Sequence, residues 1–217
     1  MGRALRIALV VAGIVSGYYA VRLAREYLSE RRNTQVFSAD RADDLLNPLR
    51  SVFLPASRTL RHFDLRPGHT VLELGPGPGF YTIEASRTVG PSGRVVCVDV
   101  QRGMIERLVA RLGDASANVE PMVGDAMNLP LRDASIDRAY LVAVLGEIPE
   151  PAAALAELRR VLAPGGVLSI DETMRDSDYV RVGKLRQLCS DAGFRQLAHH
   201  RSALGYTACF GASPTGY

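Results

Sequence analysis

Short apolar runs alternate with longer amphipathic stretches from about residue 66 to residue 210. The apolar runs predict buried strands, since a strand that is covered on both faces carries apolar side chains at successive positions. The predicted strands are Val71–Leu74, Arg94–Asp99, Val119–Val123, Ile136–Val144, Val167–Ile170, Phe194–Arg201 and Tyr206–Phe210. The amphipathic stretches predict helices, several of which are followed by a glycine. The predicted helices are Phe80–Val89, Met104–Leu112, Pro151–Leu162 and Tyr179–Ala192.

This alternation of strands and helices predicts a parallel sheet with helices on both faces. The last two strands are joined near Leu204-Gly205, and a connection that short predicts an antiparallel hairpin. The predicted fold class is therefore α/β, a Rossmann-like doubly wound sheet that is mostly parallel and has an antiparallel last strand. A ligand of such a sheet is expected at the carboxyl ends of the strands.

The first predicted strand runs directly into a turn of alternating glycine and proline, Gly75–Gly79. Glycine permits positive φ and leaves room for a ligand to approach the backbone. Pro76 and Pro78 carry no N–H group, which argues against a pyrophosphate site built from free amides. The third residue after Gly77 is Phe80, so the Gly-x-Gly-x-x-Gly spacing of a dinucleotide site is not met.

Acidic residues stand at the ends of the next two predicted strands. Asp99 closes the second strand, 20 residues after Gly79, where an acid of a doubly wound sheet reaches ribose hydroxyls. Gly124-Asp125-Ala126 follows the third strand. Two short acceptor oxygens suit a vicinal diol, so Asp99 predicts a ribose site at this edge of the sheet.

The run Glu73–Gly79, followed by Asp99, resembles the class I S-adenosylmethionine-dependent methyltransferases. The segment Gly124–Ala126, the strand at Asp137–Val142 and the proline–glycine stop at Ala163–Gly166 match the same family in the same order. The resemblance runs from about Arg66 to Phe210 and implies S-adenosylmethionine as the cofactor. The cofactor-binding residues that it implies are Glu73, Gly75, Gly77, Gly79, Phe80, Asp99, Val100, Met104, Asp125, Ala126 and Val142.

The resemblance also assigns roles within this set. Glu73 is expected to bind near the amino-acid part of the cofactor or to hold the glycine turn, and Asp99 to accept from the ribose diol. Asp125 is expected to accept from the adenine amino group, with the Ala126 N–H on a ring nitrogen. Val100 and Met104 are expected either to pack on the adenine or to belong to the core.

Methyl transfer from a sulfonium mainly requires alignment of the nucleophile and exclusion of water. A thiolate or a neutral amine needs no base, whereas a phenol or a carbon acid can need one. Glu147 lies in the loop where such a base is expected, although a structural role also fits it, and Asp171 and Glu172 are weaker candidates. No catalytic residue is assigned from the sequence.

The net charge of +3 is unevenly distributed. Residues 1–33 hold six arginines and two glutamates, so the positive charge belongs to the N-terminus. A nucleic-acid-binding domain is expected to carry a basic stripe, and none is evident, so no nucleic-acid partner is expected. Cys97, Cys189 and Cys209 have neither metal-binding nor redox spacing, and no metal site is expected.

The stretch Ile7–Val21 has no charged residue and lies between Arg6 and Arg22. It predicts a single-pass membrane helix, with a cleaved signal peptide or a helix lying on the membrane or packed on the domain as alternatives. Four arginines follow the stretch closely, and the positive-inside rule then places the folded domain in the cytoplasm.

Three regions are therefore predicted: an anchor helix and linker at 1–33, a helical cap at 34–65, and a methyltransferase domain at 66–217. The cap is expected either to cover the cofactor or to pack on the sheet edge. The function implied is a membrane-tethered methyltransferase that acts on a small, lipophilic acceptor. The alternatives are an NAD(P)-dependent Rossmann oxidoreductase and a non-catalytic cofactor-binding membrane module; the oligomeric state is not indicated.

Overall fold

The computed structural model describes residues 55–113, 117–174, 176 and 178–212. The predicted anchor at Ile7–Val21 and most of the predicted cap lie outside these ranges. The strands are β1 (Thr70–Leu74), β2 (Arg94–Asp99), β3 (Val119–Val123), β4 (Ile136–Val142), β5 (Leu162–Thr173), β6 (Phe194–Ser202) and β7 (Gly205–Ala212). The helices are α1 (Ala56–Leu60), α2 (Thr82–Val89), α3 (Arg102–Leu112), α4 (Pro151–Val161) and α5 (Val182–Asp191), with a 3₁₀ turn at Leu145–Glu147.

The seven described strands form one sheet in the order β3-β2-β1-β4-β5-β7-β6. Strands β1 to β5 pair in parallel, whereas β7 is antiparallel to both β5 and β6. The predicted fold class and the antiparallel hairpin at the end of the chain are therefore confirmed. Because the strand order reverses beside β1, the carboxyl ends of β1 and β4 border a crevice.

Alternation of side chains along the strands gives the sheet two apolar faces. Leu72 and Leu74 point to a cluster that includes Leu155 of α4 and Leu185 of α5. Val71 points to the opposite face of the sheet and belongs to a second cluster. That cluster contains Val95, Cys97, Tyr140, Ala85, Val89, Ile105, Leu108, Leu112, Leu60 and Phe63. Helices α2 and α3 thus cover one face and α4 and α5 the other, as a doubly wound sheet requires.

Strand β5 begins earlier than the sequence predicts. Ala163–Gly166 were expected to end a helix before the strand, but β5 starts at Leu162, directly after α4. The pairing shifts between Ile136, which lies opposite Leu162, and Arg138, which lies opposite Val167. The proline and glycines form a bulge inside the strand, because Gly165 has a φ of 80° and bends the chain there.

Two other predicted boundaries also move. Strand β4 ends at Val142 rather than at Val144, because Ala143 has a φ of 56° and leaves the extended conformation. Helix α5 begins at Val182 rather than at Tyr179, since the Val180 N–H donates to the Glu172 carboxylate instead of entering a helix.

The described part of the predicted cap is α1 and the turn that follows it. Leu60 and Phe63 are buried in the second apolar cluster. Whether residues 34–54 cover a ligand stays a prediction.

Candidate functional site

A cavity of about 290 Å³ opens at the carboxyl ends of β1, β2, β3 and β4. Its walls come from the turn after β1, the end of β2, the loop after β3 and the segment after β4. Ten of the eleven predicted site residues line it: Glu73, Gly75, Gly77, Phe80, Asp99, Val100, Met104, Asp125, Ala126 and Val142. The structure thus brings together residues from the ends of four strands. Their binding of the cofactor stays a prediction.

Gly79, the eleventh predicted site residue, is not among the residues that line the cavity. A Cβ atom at this position would lie 2.5 Å from Cδ1 of Leu108 on α3. With a φ of 83°, Gly79 allows the turn to pack closely on α3. Close packing against α3 explains the glycine, and contact of Gly79 with the cofactor stays a prediction.

The turn after β1 is held closely against neighbouring strands. The Gly75 N–H donates to the Val98 carbonyl at 2.8 Å, and Gly75 has a φ of 69°. A Cβ atom on Gly75 would lie 2.5 Å from Cγ2 of Val144, which follows β4. Glycine at this position thus lets the two turns that border the cavity approach each other.

Asp99 ends β2 and is only 8% exposed. Its Oδ1 accepts from the Gln101 N–H at 2.9 Å, and its Oδ2 accepts a longer bond from the Gly77 N–H at 3.4 Å. Burial raises the pKa of Asp99, and these two bonds oppose the rise. The carboxylate is held in place with both oxygens beside the cavity, an arrangement suited to the vicinal diol of a ribose.

Asp125 is held in a turn just after β3. Its carboxylate accepts from the Met127 N–H at 2.8 Å, and its backbone pairs with Asn128. Gly124 allows the turn to lie close to β2. A Cβ atom at this position would lie 2.9 Å from Cγ1 of Val98. Asp125 and Ala126 are thereby presented side by side at the cavity wall, as recognition of an adenine edge requires.

Glu73 is a carboxyl inside β1, 2% exposed, and it also lines the cavity. Its Oε2 accepts from the Thr82 hydroxyl at 2.6 Å, and the Cys97 thiol lies 3.7 Å from the same oxygen. Burial raises the pKa of Glu73 to about 7, against the effect of the surrounding donors. No cationic group is thus among those that shift the pKa of Glu73, and a cation in the cavity would stabilise its ionised form.

Beyond Gly75, the cavity extends between the segment after β4 and the segment after β5. Val144, Ile148 and Pro149 supply apolar wall, and Glu147 and Asp176 supply carboxylates. The Ala143 N–H donates to the Asp171 carbonyl at 2.8 Å. A Cβ atom on Gly146 would lie 1.8 Å from the Asp178 carbonyl oxygen. The absence of a side chain at position 146 therefore allows these two segments to meet.

The two weaker candidates for a base lie outside this wall. Asp171 accepts from the Thr207 hydroxyl, and Glu172 is buried and accepts from the Val180 N–H at 3.1 Å. Burial raises the pKa of Glu172 to about 8. Neither residue lines the cavity, so both are explained as partners of the β5–β7 pair and of the loop before α5.

Charge in the cavity has one sign. The carboxyl groups that line it are those of Glu73, Asp99, Asp125, Glu147 and Asp176. In the part of the chain that the structure describes, no lysine, arginine or histidine lines it. This wall favours a cationic ligand, and S-adenosylmethionine carries a sulfonium and an ammonium together with the ribose and adenine that suit Asp99 and Asp125.

Sequence reasoning did not include Tyr140 or Asp176 among the site residues, although both line the cavity. Tyr140 stands in an apolar strand, so its sequence context is that of a core residue. Its place at the cavity depends on the register that sets it opposite Glu73, which no local pattern reveals. Asp176 reaches the cavity only through the fold of the loop after β5.

Comparison with known proteins agrees with this geometry. A family model described as "Methyltransferase domain" matches residues 71–166. The demethylmenaquinone methyltransferase of Staphylococcus aureus (strain JH9) is 38% identical over 117 residues, covering 54% of this chain and 48% of that protein. An uncharacterized 37.1 kDa protein in transposon TN4556 of Streptomyces fradiae is 42% identical over 134 residues, covering 62% of this chain and 37% of that protein.

The chain therefore spans about half the length, or less, of these curated relatives. Among solved structures, a SAM-dependent methyltransferase from Aquifex aeolicus is 25% identical with a TM-score of 0.76. That match covers 81% of this chain and 98% of the other. Family model, relatives and fold agree with the cavity chemistry, and the chain carries a class I S-adenosylmethionine-dependent methyltransferase domain.

Proposed function

We propose that this chain transfers the methyl group of S-adenosylmethionine to a small acceptor that is neutral or cationic and has an apolar body. The observation that carries the proposal is the cavity itself, with strand-end carboxylates on one side and an apolar, acidic wall on the other. When bound, S-adenosylmethionine supplies an electrophilic methyl group with a neutral thioether as leaving group.

The order of the strands suggests how the cofactor is held. Asp125 after β3, Asp99 on β2 and Glu73 on β1 follow one another along the sheet edge. An elongated nucleoside with its adenine at Asp125 and its ribose at Asp99 brings its amino-acid end to β1 and β4. The sulfonium then lies near the place where the acceptor side of the cavity begins.

The acceptor side has two tasks in this proposal. Val144, Ile148 and Pro149 exclude water from the nucleophile and bind an apolar body. Glu147 and Asp176 orient the acceptor, and either carboxylate can receive the proton that a neutral nucleophile loses as its bond to the methyl carbon forms. An acceptor with a carboxylate or a phosphate at this end is disfavoured, because its charge would face these acids.

We also propose that the acceptor is lipophilic and that the chain is tethered to a membrane through Ile7–Val21, with the domain in the cytoplasm. Support for the lipophilic acceptor is the apolar wall and the match to a relative named for demethylmenaquinone. Support for the tether is the sequence alone. None of the helices among the described residues has the length and apolar character needed to cross a bilayer.

Methyl transfer from labelled S-adenosylmethionine tests this function on the full chain. The acceptor panel comprises a demethylated naphthoquinol, a lipophilic thiol, a long-chain amine and, as matched negatives, a fatty acid and a phosphatidic acid. We expect label in one of the first three and none in the anionic pair. Preferential methylation of the fatty acid would contradict the acceptor assignment, and binding of the cofactor without turnover on any acceptor would favour a non-catalytic module.

A further inference from the structure

Tyr140 is the one tyrosine of the described chain whose buried hydroxyl has no hydrogen-bond partner. It lies in the middle of β4, is 1% exposed, and lines the cavity. A buried hydroxyl without a partner is unfavourable, so native proteins rarely retain one unless another group completes it. The hydroxyl therefore points to a ligand that the cavity receives.

The surroundings of Tyr140 narrow the choice of ligand group. Glu73 lies opposite it on β1, and Cys97 lies opposite Glu73 on β2, so the three side chains form one row. The Tyr140 ring packs on Phe63, with centroids 5.0 Å apart, and this contact helps to hold the ring in place. The hydroxyl is beside the Glu73 carboxyl without meeting hydrogen-bond geometry. A donor and an acceptor thus stand side by side in the cavity wall.

Thr82 and Cys97 both hold the Glu73 carboxyl. The Thr82 hydroxyl and the Cys97 thiol both contact Oε2 of Glu73. Glu73 is therefore held by Thr82 and Cys97, while the Tyr140 hydroxyl has no hydrogen-bond partner. A carboxyl acceptor next to a phenol donor complements a zwitterionic α-amino acid, which presents an ammonium donor next to a carboxylate acceptor.

We propose that Tyr140 is a cofactor-binding residue whose hydroxyl donates to the α-carboxylate of S-adenosylmethionine, while Glu73 accepts from its α-ammonium. The inference rests on the proposed function and deepens it. Strand order supports it independently of the side chains, because β1 and β4 lie beyond Asp99 and Asp125 on the sheet edge, where the amino-acid end belongs.

Two nucleosides separate this role from simple packing. S-adenosylhomocysteine has the amino-acid part, and 5′-methylthioadenosine has the same adenosine and thioether without it. For Tyr140→Phe we expect calorimetric affinity for S-adenosylhomocysteine to fall roughly 10- to 100-fold, the loss typical of a hydrogen bond to a charged group. Affinity for 5′-methylthioadenosine should stay within about twofold of the wild type, because the contacts to adenosine are intact.

Tyr206→Phe is the matched control. Tyr206 is also buried, but its hydroxyl donates to the Val180 carbonyl, and it does not line the cavity. We expect Tyr206→Phe to lower the melting temperature of the ligand-free protein by about 2–4 °C without changing either affinity. Tyr140→Phe should not lower the melting temperature, since it removes a hydroxyl that has no partner.

The outcomes are distinguishable. Equal weakening of both nucleosides by Tyr140→Phe, or a loss of melting temperature like that of Tyr206→Phe, makes Tyr140 a packing residue and overturns the assignment. Unchanged affinity for S-adenosylhomocysteine overturns it as well, while leaving the proposed function intact. A wild-type protein that binds neither nucleoside overturns the proposed function and the Tyr140 assignment together.

Discussion

The two sides of the cavity are positioned in different ways. On the cofactor side, the Asp99 carboxylate accepts from Gln101 and the Asp125 carboxylate accepts from Met127, each two residues further along the chain. On the acceptor side, the segment after β4 is positioned by the segment after β5, through the Ala143–Asp171 bond and the close approach of Gly146 to Asp178. Local turns thus hold the two acids of the cofactor side, whereas contacts between remote segments position the acceptor wall.

The largest effect is expected where the two sides meet, at Gly75. Gly75→Ala places a Cβ atom 2.5 Å from Val144 on a residue whose φ is 69°. We expect the free energy of unfolding to fall by about 2–4 kcal/mol, from backbone strain together with overpacking, and cofactor binding to be lost. Urea denaturation and calorimetry measure the two quantities.

Gly90→Ala is the matched control for Gly75→Ala. Gly90 has a φ of 68°, but nothing lies within 4 Å of a Cβ atom there. Gly90→Ala should lower the free energy of unfolding by only about 1–2 kcal/mol and leave the cofactor affinity unchanged. The substitution strains the backbone but brings no close contact with another residue. Equal losses at the two positions would show that the two sides of the cavity are not in tight contact.

A smaller effect is expected on the cofactor side from Asp99→Asn. The substitution keeps the shape of the side chain but replaces one acceptor oxygen with a donor, so the ribose diol loses a bond to a charged group. Affinity for S-adenosylhomocysteine and for 5′-methylthioadenosine should fall alike, roughly 10- to 100-fold by calorimetry. Unchanged affinity for both nucleosides would show that Asp99 does not bind the cofactor.

On the acceptor side, Glu147→Gln should act on turnover alone. We expect the affinity for S-adenosylhomocysteine to stay at the wild-type value and the rate of methyl transfer to fall about tenfold, the loss of one hydrogen bond to the acceptor. Glu150→Gln is the control, since Glu150 is exposed and does not line the cavity. A parallel loss of cofactor affinity in Glu147→Gln would mean that the two sides are not separate.

A separate effect is that of pH on the free energy of unfolding. Burial raises the pKa of Glu73 from 4.5 to about 7 and that of Glu172 from 4.5 to about 8. Above pH 4.5 the folded protein keeps protons that the unfolded chain releases, so the free energy of unfolding falls as pH rises. Each group contributes at most about 1.4 kcal/mol per pH unit.

Urea titrations between pH 4.5 and 8 measure this dependence. Glu73→Gln should flatten it below about pH 7, and Glu172→Gln should flatten it up to about pH 8. A wild-type stability that rises through this window, with no change in slope in either variant, would contradict the burial of these carboxyls.

What the sequence predicted follows the same division. The alternation of strands and helices, the glycine turn and the acids at Asp99 and Asp125 come from patterns within a few residues, and the fold class that they predict is confirmed. The role of Tyr140 depends on its register with Glu73, and that of Asp176 on a loop that packs against Gly146. Such contacts join segments far apart in the sequence, so no local pattern contains them.

Gly79 and the Ala163–Gly166 segment show the same limit in reverse. The sequence assigned Gly79 to a ligand, whereas the structure shows that close packing on Leu108 of α3 is enough to require glycine there. A proline–glycine run predicted the end of a helix, but β5 absorbs it as a bulge opposite β4. In both cases, a partner element decides which of two ordinary uses of glycine applies.

Titration of the full chain with S-adenosylmethionine and, separately, with NAD by calorimetry tests the central claim most directly. Because carboxylates and no cations line the described cavity, we expect saturable one-to-one binding of the sulfonium nucleoside and no heat from the anionic dinucleotide. Saturable binding of NAD, or no heat from S-adenosylmethionine, would contradict the account.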